Sequence, residues 1–230
     1  MIRENLEIVE KNICEACERA KRDRSEVTLI AVSKTKPVSD VREAMACGIT
    51  VFGENKVQEI RDKTEEIKEP LFWHMIGHLQ VNKVKYLPGK VCMIHSVDNM
   101  KLAEEIEKQA AKHDLVMDVL IEVNVAGEDT KFGVSVEETA DLVRQIAEFE
   151  HVRIRGLMTI APFTDDPESN RQYFRALREL KDEINAMKIP GVEMDTLSMG
   201  MTGDYQVAIE EGATFVRVGT GIFGERDYSK

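Results

Sequence analysis

Apolar residues along this chain change their spacing in a regular rhythm. Between residues 2 and 22, Leu6, Val9, Ile13, Cys17 and Ala20 recur every three or four positions with charges between them, which predicts an amphipathic helix. From residue 27 onward, short β-rich runs alternate with helical patterns. Strands are predicted at 27–33, 50–53, 71–76, 91–95, 116–125, 152–160, 192–197 and 214–218. Helices are predicted between them at 39–47, 55–67, 81–86, 99–113, 135–149 and 204–211, with a long one opening at Asp166-Pro167. Several carry their own boundary signals. Gly48 and Gly212 stand just past helix ends, Ser135 and Glu138 form a capping box, and Pro167 sits in a first turn where its missing N–H costs nothing.

The connections are too long for hairpins, so successive strands should run parallel through right-handed βαβ units. Eight such units close into a single (β/α)₈ barrel, here with an extra N-terminal helix and one domain across residues 1–230. An open doubly wound sheet is the alternative. Composition supports a folded globular protein: of 230 residues, 43% are apolar and 32% charged. The 31 basic and 42 acidic residues leave a net charge of −11, which argues against a nucleic-acid or anionic-membrane partner. No apolar stretch approaches the ~18 residues of a membrane span. The N-terminus lacks a secretory pattern, so a cytoplasmic protein is expected. Cys14 and Cys17 form a C-x-x-C pair, but it lies inside a helical pattern with no second pair, so neither a zinc nor a redox role is expected.

In a barrel of this kind, chemistry gathers at the carboxyl ends of the strands. Polar residues and glycines do cluster there: Ser33-Lys34-Thr35-Lys36-Pro37, Gly53-Glu54-Asn55, Gly77-His78, Glu122-Val-Asn124, Ser198 to Asp204, and Arg217-Val-Gly219-Thr220-Gly221. Lys34 directly continues an apolar run and would project into the barrel mouth. Either it is a strand-end lysine reaching water, or burial and a neighbouring cation lower its pKa and free the amine to attack a carbonyl. Lys36 shares its strand parity and could be that cation.

Gly219 to Gly224 match G-x-G-x-x-G, yet too few residues follow for a dinucleotide-binding unit. The glycines either serve turns alone or supply backbone N–H groups for an anion, in the loops after strands seven and eight where barrels often bind phosphate. A side chain added at Gly219 is then expected to obstruct the anion. His74 and His78 straddle a strand end and are read as packed or ring-contacting more than metal-ligating. An imine-forming lysine beside an anion nest suits a cofactor with an aldehyde and a phosphate, namely pyridoxal 5′-phosphate (PLP). A sugar-phosphate aldolase would combine the same features.

Five segments sharpen the choice. Ala31-Val-Ser-Lys34-Thr-Lys36-Pro37, Phe52-Gly-Glu-Asn55-x-Val-Gln58-Glu59, His74-Met-Ile-Gly77-His-Leu-Gln80-x-Asn82-Lys83, Leu197-Ser-Met-Gly200-Met-Thr202-x-Asp204 and Arg217-Val-Gly219-Thr220-Gly221-Ile-Phe-Gly224 together resemble the pyridoxal phosphate homeostasis protein family. The resemblance implies a barrel like the N-terminal domain of alanine racemase, with PLP held on Lys34 as an internal aldimine. It implies that Ser198, Gly200, Met201, Thr202, Gly219 and Thr220 hold the phosphate. Arg217 would stand near the pyridine nitrogen, and Asn55 and Gly77 would line the ring pocket. His78 and Lys36 receive no assigned role.

It further implies a monomeric protein that buffers PLP and related vitamers or delivers PLP to apo-enzymes, with no robust turnover. A racemase-like enzyme needs a group on each cofactor face, and the second comes from another domain. This chain ends at Lys230, just past the eighth unit, so no such domain is expected. A slow PLP enzyme acting on amino acids is the alternative.

Overall fold

Eight parallel strands close on themselves in sequence order, β1 pairing with both β2 and β8. The structure is a computed structural model and describes residues 1–128 and 131–225. Lys230, with which the expected domain ends, lies outside the described residues. The strands are β1 (Thr28–Val32), β2 (Val51–Glu54), β3 (Phe72–Met75), β4 (Met93–Val97), β5 (Met117–Glu122), β6 (Val152–Met158), β7 (Thr196–Met201) and β8 (Phe215–Val218). The helices are α1 (Ile2–Ala20), α2 (Val38–Ala46), α3 (Val57–Glu66), α4 (Met100–Lys112), α5 (Val136–Ile146), α6 (Arg171–Ala186), α7 (Tyr205–Glu210) and α8 (Thr220–Phe223). A 3₁₀ turn at Val81–Tyr86 stands in for a helix between β3 and β4. The expected (β/α)₈ barrel with its extra N-terminal helix is therefore what the chain forms.

Strand alternation divides the core in two. Outward residues such as Leu29, Ala31, Phe52, Trp73, Val119, Ile121, Leu197 and Val216 pack against the helices in one continuous apolar cluster. Inward residues Met93, Leu120 and Met158, with Phe215, make a small separate cluster inside the barrel. Beside these and Ile30, the buried polar groups His74, His95, Ser198 and Arg217 occupy that interior, and this is what creates a site. Gly53 is needed there, because a Cβ would come within 2.8 Å of Ile30 and 2.9 Å of Ile76.

The seventh strand differs from the expected 192–197. The backbone of Met194 is bracketed by the Asn185 side chain of α6, which accepts from its N–H at 3.0 Å and donates to its carbonyl at 2.8 Å. The ladder with β6 begins only at Thr196, opposite Gly156. Ser198 thus lies within the strand, not at its end. The short helix α8 was not expected either; it occupies the glycine-rich stretch read as a loop.

α1 lies across the last two helices. Its Asn5 donates to the Ile222 carbonyl of α8 at 2.8 Å, and its Asn12 donates to the Tyr205 hydroxyl of α7 at 3.0 Å. Ile2, Leu6, Val9, Ile13, Ala16 and Cys17 form its buried face, so one half of the C-x-x-C pair is core.

Candidate functional site at the carboxyl end of the barrel

The turn carrying Lys34 begins where β1 stops. The Lys36 N–H donates to the Ser33 carbonyl at 3.0 Å, closing a four-residue turn, and Thr35 takes φ 64°. A positive φ at the third position marks a type II turn, where glycine or asparagine is usual. A β-branched residue there is strained, by about 1–3 kcal/mol. The turn also ends strand parity. Lys36 does not share the mouth with Lys34: its Nζ donates to the carbonyls of Phe223 at 2.9 Å and Glu225 at 3.0 Å. It ties the end of α8 to the start of α2, and so is not the neighbouring cation the alternation suggested.

On the adjoining strand, β8 runs into the glycines. The N–H groups of Gly219 and Gly221 both donate to Thr202 Oγ1 at 3.3 Å, and the Thr220 hydroxyl lies 3.3 Å from the same oxygen. Two backbone donors and two hydroxyls thus converge on one small volume, which is the donor set an anion needs. Asp204 steadies the facing loop. It accepts from the Met201 N–H at 2.7 Å and from Asn170 at 2.8 Å. Gly200, at φ 89°, leaves room for α7, since a Cβ there would come within 2.5 Å of Ala208. A Cβ at Gly219 would rest against Val32 at 3.4 Å, an ordinary contact, while one at Gly221 would press on Thr202 at 3.1 Å. An added side chain is therefore crowded at Gly221, between Val218 and Thr202, more than at Gly219.

Below the mouth, inward side chains form a polar run that the sequence did not reveal. Arg217 donates from one nitrogen to Ser198 Oγ at 2.6 Å and from the other to the Thr159 carbonyl at 2.8 Å. His95 Nδ1 lies 2.9 Å from Ser198 Oγ, and His95 Nε2 lies 2.8 Å from His74 Nδ1. Among the described residues, Ser198 Oγ meets only Arg217 and His95. A guanidinium cannot accept, so the hydroxyl proton goes to His95 Nδ1. That fixes the sense of the run: Arg217 to Ser198, Ser198 to His95, His95 to His74. Both rings must then be neutral. Burial lowers His74 to about 4, and burial first, then the neighbouring His74 and Arg217, push His95 well below the usual histidine range. Ser198 is thus engaged beneath the site, apart from the convergent N–H groups.

Two more charged groups complete the interior. Burial lowers Arg217 to about 10, still cationic at neutral pH, against the pull of Glu122 and Asp204. Burial and then Asp98 raise Glu122 to about 7, opposed by Arg217, and its Oε2 has no hydrogen-bond partner among the described residues. Asn55 and Gly77 meet across β2 and β3: a Cβ on Gly77 would lie 2.6 Å from the Asn55 carbonyl oxygen. His78 stacks on Phe132, with ring centroids 3.8 Å apart. A cavity of 660 Å³ at the opposite end of the barrel is lined by Leu6, Val27, Leu29 and the paired Glu10 and Arg24, and belongs to the packing of α1.

Closed topology, a lysine turn on β1 and converging N–H groups on β8 place the chain in a recognisable class. The family described as alanine racemase, N-terminal domain, matches residues 5–227. A pyridoxal phosphate homeostasis protein of Aquifex aeolicus is 52% identical over 226 residues, 98% of each chain. The chain belongs to the pyridoxal phosphate homeostasis protein family. Two solved structures agree. A protein of Bifidobacterium adolescentis superposes with a TM-score of 0.91 at 35% identity, covering 96% of this chain and 94% of that one. PipY of Synechococcus elongatus, solved with PLP bound, superposes with a TM-score of 0.84 at 34% identity, covering 97% of this chain and all of that one.

Proposed function

We propose that this chain binds PLP covalently through Lys34 and acts in its homeostasis, holding the cofactor and delivering it to apo-enzymes instead of turning over a substrate. One observation carries the reading. β1 and β8 are hydrogen-bonded neighbours with Ala31 opposite Val218, so the Lys34 turn and the Gly219–Gly221 N–H groups leave the barrel side by side. An amine and an anion cradle at that adjacency fit a ligand carrying both an aldehyde and a phosphate.

When bound, PLP supplies an aldehyde that condenses with a primary amine, both amine protons and the carbonyl oxygen leaving as water. Lys34 would supply that amine. Thr202, Gly219, Thr220 and Gly221 would hold the phosphate, with Gly200 and Met201 shaping the loop beside them. Asn55 and Gly77 would line the ring. Arg217 offers donors only, so a pyridine nitrogen facing it stays an unprotonated acceptor, which weakens the ring as an electron sink. The PLP in PipY and the homeostasis names of the curated relatives support this reading.

Borohydride reduction of the PLP-loaded protein, followed by peptide mapping, is expected to place the pyridoxyl group on Lys34. Recovery mainly on Lys36 would overturn the assignment. Delivery is tested by activation of a defined apo-enzyme while free PLP is scavenged; no activation would leave storage without transfer.

Glu122 favours a second reading, slow chemistry on amino acids. Its carboxyl is raised to about 7 and has an oxygen without a partner among the described residues, on the strand across the barrel from β1, a candidate acid for a bound cofactor. The two readings part on α-proton exchange of amino acids in D₂O. A positioned acid is worth about 10²–10⁴-fold. Exchange faster than free PLP by that factor, and lost in Glu122→Gln, would replace the carrier reading.

A further inference from the structure

Behind the Lys34 turn, on the outer side of the barrel wall, sits a buried ion cluster that the reading above does not use. Lys63 of α3 donates to Glu54 at 2.6 Å, to Glu59 at 3.2 Å and to the Ser33 carbonyl at 2.7 Å. The Ser33 hydroxyl donates to Glu54 at 2.6 Å, and the Thr35 N–H donates to Glu59 at 2.7 Å. Among the described residues, every hydrogen bond that these three side chains make outside the cluster itself goes to Ser33 or Thr35, the two residues that flank Lys34. The Ser33 carbonyl that receives Lys63 is the same one that closes the turn through the Lys36 N–H.

Strength alone does not account for this arrangement. Buried ion pairs gain little over apolar side chains of the same volume, and their best-attested use is to fix one conformation. The conformation fixed here is one the local sequence resists. Thr35 sits at φ 64°, which a β-branched residue leaves unless its surroundings over-determine it. The outward carboxylate of Glu59 meets the N–H of that strained residue, while Glu54 and Lys63 hold the residue on the other side of the lysine.

We propose that Glu54, Glu59 and Lys63 are positioning residues that clamp the Ser33–Lys36 turn from outside the barrel, and so set where the Lys34 amine meets the cofactor carbonyl. The proposal rests on the reading that Lys34 carries PLP. None of the three touches the cofactor in this account; they act through the backbone on either side of the lysine.

Glu59→Ala is the primary variant, because Glu59 is the outermost member and its loss leaves the Glu54–Lys63 pair intact. Three quantities are measured. They are the rate of covalent PLP capture from its absorption change, the affinity for 4-deoxypyridoxine 5′-phosphate, and thermal unfolding without ligand. That analogue keeps the ring and phosphate but lacks the aldehyde. A small misplacement of a reacting group costs up to about 100-fold, so capture is expected to slow about 10- to 100-fold. Analogue affinity stays unchanged, and the unfolding temperature falls only by what the lost Glu59 contacts contribute. Glu59→Gln, whose amide oxygen still accepts the Thr35 N–H, regains most of the rate.

Capture at the unmutated rate in Glu59→Ala would overturn the proposal. So would a parallel loss of analogue binding, which would make the cluster a support for the whole site and not for the amine. If the unmutated protein traps no pyridoxyl group on Lys34, the functional reading itself fails, a result seen before any variant is made.

Discussion

Single residues inside the barrel set its response to acid. His74 is buried, and its pKa falls from the ordinary 6.5 to about 4. The folded protein therefore binds fewer protons at this ring than the unfolded chain does. The resulting stability is fully present above pH 6.5 and is lost as pH falls towards 4, by ~3 kcal/mol for this ring alone. Denaturant unfolding of the protein and of His74→Asn at steps between pH 7 and 4 is expected to show that loss as the difference between the two, since Glu122 and Glu54 titrate in the opposite sense over the same window, and ¹⁵N imidazole shifts should report neutral His74 and His95 at pH 6. A protonated ring at pH 6 would break the assigned run from Arg217 to His74. Glu122 acts in the opposite sense. Its raised pKa means that its contribution is present below the ordinary carboxylate range and lost as pH rises towards 7. Lys36 is the third case at this scale. Since it anchors Phe223 and Glu225, Lys36→Ala is expected to keep the PLP absorption while releasing phosphorylated vitamers faster. Loss of the absorption itself would place Lys36 in the chemistry.

Elements explain what the sequence showed and what it hid. The alternation of short apolar runs with amphipathic stretches is a local property, so eight strands and their helices were readable, as was the gathering of polar residues at one strand end. Lys34, Asn55, Gly77, Thr202 and the glycines of 219–221 were readable, though not for what they hold, as positions at a strand's end, because each stands just past one. His95 was not, because it lies inside β4 and meets His74 only when β3 and β4 pair. The Glu54–Lys63 pair was hidden for the same reason, spanning the end of β2 and the far turn of α3. Spacing could not separate Gly219 from Gly221, because it cannot say which neighbours a Cβ would meet. The structure supports a sharper test: Gly221→Val should weaken retention of PLP far more than of unphosphorylated pyridoxal, while Gly219→Ala should be tolerated. Equal loss for both vitamers in Gly221→Val would indicate damage to α8 instead of to the anion cradle. At the β6–β7 junction, a Cβ on Gly156 would lie 1.8 Å from the Thr196 carbonyl oxygen. Gly156→Ala is accordingly expected to cost about 3 kcal/mol or more in unfolding free energy, at the upper end of overpacking effects. A loss below 1 kcal/mol would mean the strands can part locally without harm.

Across the whole molecule, the two ends of the described chain support each other. α1 packs on α7 and α8, and Asn5 reaches the carbonyl of Ile222, so the first helix backs the segment whose N–H groups converge on Thr202. Asn5→Ala removes one partly buried hydrogen bond, about 1 kcal/mol of stability. Its larger expected effect is faster dissociation of PLP than of pyridoxal, read by absorption after dilution; equal acceleration of both would show that α1 serves the fold alone. The same closure has a consequence in time. Lys34 is made early and Gly219 to Gly221 late, and only the pairing of β1 with β8 brings them together. At ~5–20 residues added per second, a growing chain carries Lys34 for roughly 10–40 s before those glycines exist. No half-made chain can hold the cofactor as the finished barrel would. On the proposed function, loading therefore follows closure of the barrel, and each new molecule withdraws PLP from its surroundings, a sink before it can be a source.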